Sequence, residues 1–193
     1  MPRAGLSRAA VVAIAVDLVD TDPSAPLTLA AVAGRAGVAV PSLYKHIRSL
    51  DELRDGVAVV AVSDLADAVE VAVDGLTGEG ALRSASRAIR AYARAHPGLY
   101  AAGQPAPGRQ ASPELEAVAR RAVGDIAGVV AQAGVPSDRT VDGVRILRSA
   151  VHGFVQLEAA GGFGLPDDVD ASFDRLLAVL WAGFATLRDA GPE

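Results

Sequence analysis

The sequence predicts an all-α protein of about nine helices, with a small N-terminal helical domain followed by a larger helical bundle. Of its 193 residues 51% are hydrophobic but only 4% are aromatic. The apolar residues, mostly alanine, valine and leucine, recur at helical spacing and do not alternate as they would along a strand. Clusters of glycine and proline then divide the chain into segments of helical length, with no internal repeat.

Composition narrows the class of protein. There is no cysteine, which excludes disulfides and thiolate metal sites and makes a reducing compartment the default. The three histidines, His46, His96 and His152, include no pair at the i, i+4 spacing of a helical zinc site. We therefore expect neither a metal nor another cofactor. Without a signal peptide or a long apolar span, we also expect a cytoplasmic protein with no membrane partner.

Charge is distributed unevenly along the chain. The net charge is −5, which by itself argues against a nucleic-acid partner. Residues 1–50, however, hold five basic side chains against three acidic ones, whereas residues 51–193 hold 13 arginines against 20 acidic residues. This asymmetry favours a nucleic-acid surface at the N-terminal end of an otherwise acidic body.

Three short helices are predicted within residues 1–50. The first spans about Leu6–Val19. Thr28 is a good N-cap for the second, which runs to Ala36 and ends at Gly37. The third spans Pro41–Ile47, with proline in the first turn, where its missing N–H is not needed.

Five longer helical patterns follow. We expect an exposed loop at Gly103–Ser112 and a chain break at His96-Pro97-Gly98. A row of arginines in the fifth helix lies almost opposite the apolar side and is interpreted as a solvated face; the alternative is a second basic patch. That row is Arg83, Arg87, Arg90 and Arg94. The predicted helices are Asp51–Val73, Gly80–Ala95, Pro113–Ala133, Asp138–Ala160 and Asp167–Ala190.

The segment 28–47 has the pattern of a helix-turn-helix, two short helices joined by a tight glycine-containing turn. Ala33 is small where the helices cross, and Gly37 permits a positive φ in the turn. The predicted apolar plug against the first helix consists of Val32, Val38, Leu43 and Ile47. The other face of the third helix is then free to enter the DNA major groove. The alternative is an ordinary helical hairpin.

The chain resembles the tetracycline-repressor family over residues 6–60, and the segment 28–47 carries the family's pattern. Thr28, Ala33 to Val38, and Leu43-Tyr44-Lys45-His46-Ile47 match its pattern in type and spacing. The resemblance implies base contacts from the start of the third helix and phosphate contacts around it. The family's lysine near position 50 is Leu50 here, and Arg48 is the expected substitute. The implied base-facing residues are Ala39, Val40, Pro41, Ser42 and Lys45. The implied phosphate contacts are Thr28, Tyr44, His46 and Arg48.

Two wide apolar stripes in the last two helices resemble the pairing helices of that family. The resemblance implies a homodimer, whose two reading helices would bind a palindromic operator. The alternative is that the stripes are only internal core. The predicted interface residues are Leu147, Val151, Phe154, Phe173, Leu177, Leu180 and Phe184.

The C-terminal half also resembles a subgroup marked by His-Pro-Gly-Leu-Tyr and Trp-x-x-x-His-Gly. His96-Pro97-Gly98-Leu99-Tyr100 and His152-Gly153 match, while Arg148 stands in place of the tryptophan. An effector pocket would be mainly apolar and aromatic with a few polar groups. For each candidate, the alternative is a packing residue of the core. The candidates are Tyr92, His96, Tyr100, His152, Phe154, Gln156 and Trp181.

The resulting hypothesis is a ligand-responsive repressor. Residues 1–50 would bind DNA, and residues 51–193 would pair and bind an unidentified small-molecule effector that releases the DNA. A helical enzyme is disfavoured because no catalytic constellation or phosphate loop is visible. A helical interaction protein without DNA binding is the other alternative.

Overall fold

The computed structural model describes residues 6–104 and 110–189. Within them the chain forms nine α-helices and one short 3₁₀ helix, Ser137–Arg139, with no strand, which confirms the predicted fold class. The α-helices are α1 (Arg8–Thr21), α2 (Leu29–Ala36), α3 (Val40–Leu43), α4 (Leu50–Val73), α5 (Gly78–Ala95), α6 (Pro97–Ala102), α7 (Pro113–Gln132), α8 (Thr140–Ala159) and α9 (Val169–Asp189).

Seven of these helices begin and end within two residues of their predicted bounds, and α3 and α6 do not. The predicted break at His96-Pro97-Gly98 does end α5, at Ala95, but the short helix α6 that begins at Pro97 was not predicted. Proline fits its first turn because no N–H is needed there. Gly103 caps α6 with its N–H on Leu99 O. Residues 105–109 of the predicted loop lie outside the described residues.

The chain divides into two compact units, Met1–Asp64 with His96–Ala119, and Leu65–Ala95 with Arg120–Glu193. In the first unit, α1 packs on α2 and α6, and α2 packs on α3. Fully buried aliphatic side chains form its core: Val11, Val32, Leu43, Ile47, Leu53 and Val57. The functional division at residue 50 stays a prediction.

Helix α6 approaches α1 unusually closely. A Cβ at Gly98 would lie 2.1 Å from the backbone oxygen of Val19, so only glycine fits there. Beside it, His96 Nδ1 lies 2.9 Å from Asp20 Oδ2. This contact therefore combines a backbone approach with a polar pair.

In the second unit, α5, α8 and α9 pack on one another around large apolar side chains. Five predicted interface residues belong to this core, because their exposed fractions are 1% or less in the single chain. The prediction was wrong for these five, since a side chain already buried has no surface left for a partner. They are Leu147, Val151, Phe173, Leu177 and Phe184. The other two, Phe154 and Leu180, are half-buried.

The solvated arginine face was also a wrong prediction at Arg90, which is only 8% exposed. Its guanidinium donates to both carboxylate oxygens of Glu158, at 2.8 and 2.6 Å. It also lies 4.8 Å from the ring centre of Phe173. The interpretation failed because these partners come from α8 and α9, far along the chain.

Candidate nucleic-acid interface

The helix α2 and the turn that follows it are fixed by signals within the eleven residues 28–38. Thr28 is the N-cap of α2, and its Oγ1 accepts the N–H of Ala31 at 3.1 Å. Gly37 ends the helix at φ 68°, ψ 32°, the left-handed conformation expected from the sequence. The Val38 N–H then bonds to Ala33 O at 3.0 Å, which closes the turn.

Helix α3 is shorter than the predicted Pro41–Ile47. Regular α-helix covers only Val40–Leu43. The His46 N–H bonds to the oxygen of Leu43, three residues back, which tightens the last turn. The Ile47 N–H also bonds to that oxygen at 3.0 Å, so the chain keeps a helical path to Ile47.

One side of this hairpin is buried and the other faces outward. Val32, Ala33, Leu43 and Ile47 are at most 3% exposed, while Val38 is half-buried. Tyr44 is 55% exposed. Lys45, the only lysine of the chain, is exposed as well. The remaining predicted DNA contacts are exposed at Ala39, Pro41 and Arg48, and half-buried at Thr28, Val40, Ser42 and His46.

Glu52, which sequence reasoning missed, determines the surroundings of Arg48. Its Oε2 accepts both the backbone N–H and the Nε–H of Arg48, at 2.7 and 3.1 Å, and these bonds lower the pKa of Glu52. Its Oε1 lies 3.4 Å from Arg8 Nε. The Ser49-x-x-Glu52 spacing, a capping-box pattern, is the signal that could have found this residue.

The predicted effector residues fall in both units. His96 and Tyr100 belong to the first unit, where His96 pairs with Asp20 and Tyr100 is buried. The other five belong to the second unit, where the Phe154 ring contacts the rings of Phe163 and Phe173 in tilted geometry, with ring centres 4.7 and 4.9 Å apart. Tyr92, His152 and Trp181 are half-buried there, and Gln156 is exposed. Burial is the main cause that lowers the pKa of His152, with Arg148 a second cause.

Within residues 6–104 and 110–189, no group of three or more His, Asp or Glu side chains is placed to hold a metal ion. No helix in that part of the chain has both the length and the apolar character needed to cross a membrane.

Comparison with known proteins decides the family. Residues 82–180 match the family described as "Tetracyclin repressor-like, C-terminal domain". The chain is also 32% identical to the uncharacterised HTH-type transcriptional regulator Rv0681 of Mycobacterium tuberculosis, over 93% of this chain and 82% of that protein. The chain belongs to the tetracycline-repressor-like family.

A second relative extends the match over almost the whole of both proteins. The uncharacterised HTH-type regulator YobS of Bacillus subtilis is 30% identical over 94% of each chain. Tetracycline-repressor-like proteins of this kind are transcriptional regulators and not enzymes.

Solved structures agree on the fold. The TetR of Acinetobacter baumannii, solved in complex with minocycline, superposes with a TM-score of 0.67 at 23% identity, covering 96% of this chain and all of that one. The regulator SCO7222, a TetR from Streptomyces coelicolor, gives 0.73 at 21% identity, covering 95% of this chain and all of that one.

Proposed function

We propose that this tetracycline-repressor-like regulator is a cytoplasmic, ligand-responsive repressor that binds a palindromic operator as a homodimer and reads it with α3. The observation that carries the proposal is the two-sided hairpin of α2 and α3. Its apolar side is buried, with α2 packed on α1, and its outer side presents the chain's only lysine and an exposed tyrosine.

Base reading is proposed for five residues in α3 and directly beside its two ends. Lys45 supplies the single charged donor, which suits the acceptors of guanine in the major groove. The other four can contact thymine methyls or read the shape of the duplex, because none carries a long polar side chain. They are Ala39, Val40, Pro41 and Ser42.

Phosphate contacts are proposed for Thr28, Tyr44, His46 and Arg48. The Thr28 oxygen accepts a backbone N–H, and its own hydroxyl proton remains available to donate. The side chain of Arg48 is 91% exposed, and only its Nε is bonded to Glu52. Its two terminal amino groups can therefore reach a phosphate.

The test is fluorescence anisotropy of the full chain with the DNA that flanks its own gene. We expect specific, salt-sensitive binding in the wild type, loss of specific binding in Lys45→Ala, and a milder, less sequence-dependent loss in Tyr44→Phe. Arg175→Ala removes an exposed charge on α9 and is the matched control. If the wild type forms no complex at low salt, the alternative hypothesis of a helical interaction protein that does not bind DNA is favoured.

Pairing is proposed through apolar stripes of α8 and α9 that the core leaves uncovered. On α8 they include Ile146 and Leu157, which are 41% and 54% exposed, and on α9 they include Val179, which is 69% exposed. Exposed apolar rows of this kind are typical of protein–protein contacts. Light scattering should find a dimer in the wild type and a monomer in Val179→Arg, while Arg120→Ala, an exposed change on α7, should stay dimeric.

The seven effector candidates named from the sequence are proposed as the origin of the response. Release of DNA then requires that the effector bind the non-binding arrangement of the dimer more tightly than the DNA-bound one. A library of small molecules can be screened by thermal shift with the wild type and with His152→Ala. We expect ligands of this region to raise the melting temperature of the wild type more than that of the variant.

A further inference from the structure

A cleft of about 290 Å³ lies on the second unit, outside the predicted effector residues. Its walls come from α5 and the first turns of α9. Three arginines of α5, at i, i+3 and i+7, face two aspartates of α9 across it. The arginines are Arg87, Arg90 and Arg94, and the aspartates are Asp170 and Asp174.

The arginines of the cleft hold more N–H donors than their partners use. Arg87 donates through Nη2 to Asp174 at 2.8 Å. Arg90 uses Nε and Nη2 for Glu158, and Nη2 also lies 2.7 Å from Asp170. Arg94 forms no ion pair with any residue in the described part of the chain, and it is exposed.

Arg90 is held in place for binding. It donates two hydrogen bonds to Glu158, and its Cζ atom lies 5.4 and 4.8 Å from the ring centres of Phe154 and Phe173. A guanidinium that is already ordered loses little conformational freedom when it binds a ligand. Its contact with Asp170 is weaker in kind, because the Asp170 side chain is 75% exposed.

We propose that this cleft binds a small organic acid. The carboxylate would lie between Arg94 and Arg90, displacing Asp170, and the short apolar body would lie against Ala91 and the aliphatic stem of Arg87. Carboxylates suit this place because guanidinium groups bind them with paired, charge-assisted hydrogen bonds. Displaced Asp170 stays in the first turn of α9, where the helix dipole favours a negative charge.

Size and charge limit the ligand to a monoanion. A cleft of about 290 Å³ is at the small end of ligand sites. Three acidic groups, Asp170, Asp174 and Glu158, already lie near the three guanidinium groups. If a ligand displaces Asp170, one negative charge of the ligand can take the place of the Asp170 carboxylate. A polyanion would leave negative charge without a partner.

The test is ligand-observed NMR on the full chain without DNA, using benzoate as the probe and benzamide as its neutral counterpart. We expect saturable benzoate binding, no benzamide binding, and at least tenfold weaker benzoate binding in Arg94→Gln. Ala91→Phe, which fills the cleft from an exposed position, should abolish benzoate binding. Arg175→Gln, also exposed on α9, should bind as the wild type does.

The proposal is overturned if benzoate fails to bind, if benzamide binds equally well, or if Arg94→Gln leaves the affinity unchanged. Because no DNA is present, these outcomes are independent of operator binding. The proposed repressor function can therefore fail or succeed separately.

Discussion

The α2–α3 hairpin and the arginine cluster around Arg90 are held together in different ways. In the hairpin, the cap, the turn and the apolar plug all come from twenty consecutive residues, 28–47. Around Arg90, the partners are 68 and 80 residues away, at Glu158 and Asp170. The hairpin is therefore stabilised by local signals, whereas the cluster around Arg90 is stabilised by long-range contacts that no local sequence pattern predicts.

The comparison predicts that the long-range cluster is the more costly one to break. Arg90→Met should lower the free energy of unfolding by about 3 kcal/mol, because it leaves Glu158 half-enclosed without its partner. Urea denaturation measures this. Arg175→Met is the exposed control, and Arg90→Met with Glu158→Gln should recover part of the loss. Equal effects of Arg90→Met and Arg175→Met would remove the distinction between the two regions.

A second long-range contact should rank next. Gly98→Ala places a methyl group against the Val19 backbone and should cost about 1–3 kcal/mol, since α6 must shift away from α1. Gly128→Ala in α7 meets nothing within 4 Å and should instead stabilise the protein by up to about 1 kcal/mol through helix propensity. Thermal unfolding of the two variants should move in opposite directions.

The local cap of the hairpin should have a smaller effect. Thr28→Ala removes the hydroxyl that accepts the Ala31 N–H and should cost about 1 kcal/mol. Thr28→Ser keeps that acceptor and should be close to wild type. Hydrogen exchange at the Ala31 amide reports the effect locally, and unchanged protection in Thr28→Ala would mean that packing alone holds the start of α2.

The smallest expected effect is on the loss of stability at acidic pH. Arg90, through its hydrogen bonds, lowers the pKa of Glu158 below the ordinary value of 4.5. Below pH 4.5 the unfolded chain therefore binds a proton that the folded chain does not, and stability falls as the pH falls toward the lowered value. Glu158→Gln should lose this part of the pH dependence. Parallel acid profiles for the two proteins would contradict it.

Local signals made the fold and the hairpin predictable. Thr28, Gly37 and Pro41 mark helix boundaries by their own chemistry, and the structure begins or ends a helix within one residue of each. The interface residues could not be assigned in the same way. Phe173 and Leu180 belong to one wide apolar stripe, and only tertiary packing determines that the first is buried in the core and the second is half-buried.

Glu52 should reduce the salt dependence of DNA binding. It has already compensated part of the charge on Arg48 and Arg8 before any duplex arrives. A phosphate that meets Arg48 would therefore release less than a full counterion, whereas one that meets Lys45 would release nearly the usual share. A plot of log affinity against log salt concentration should accordingly be shallower than a simple count of the basic side chains on this face suggests.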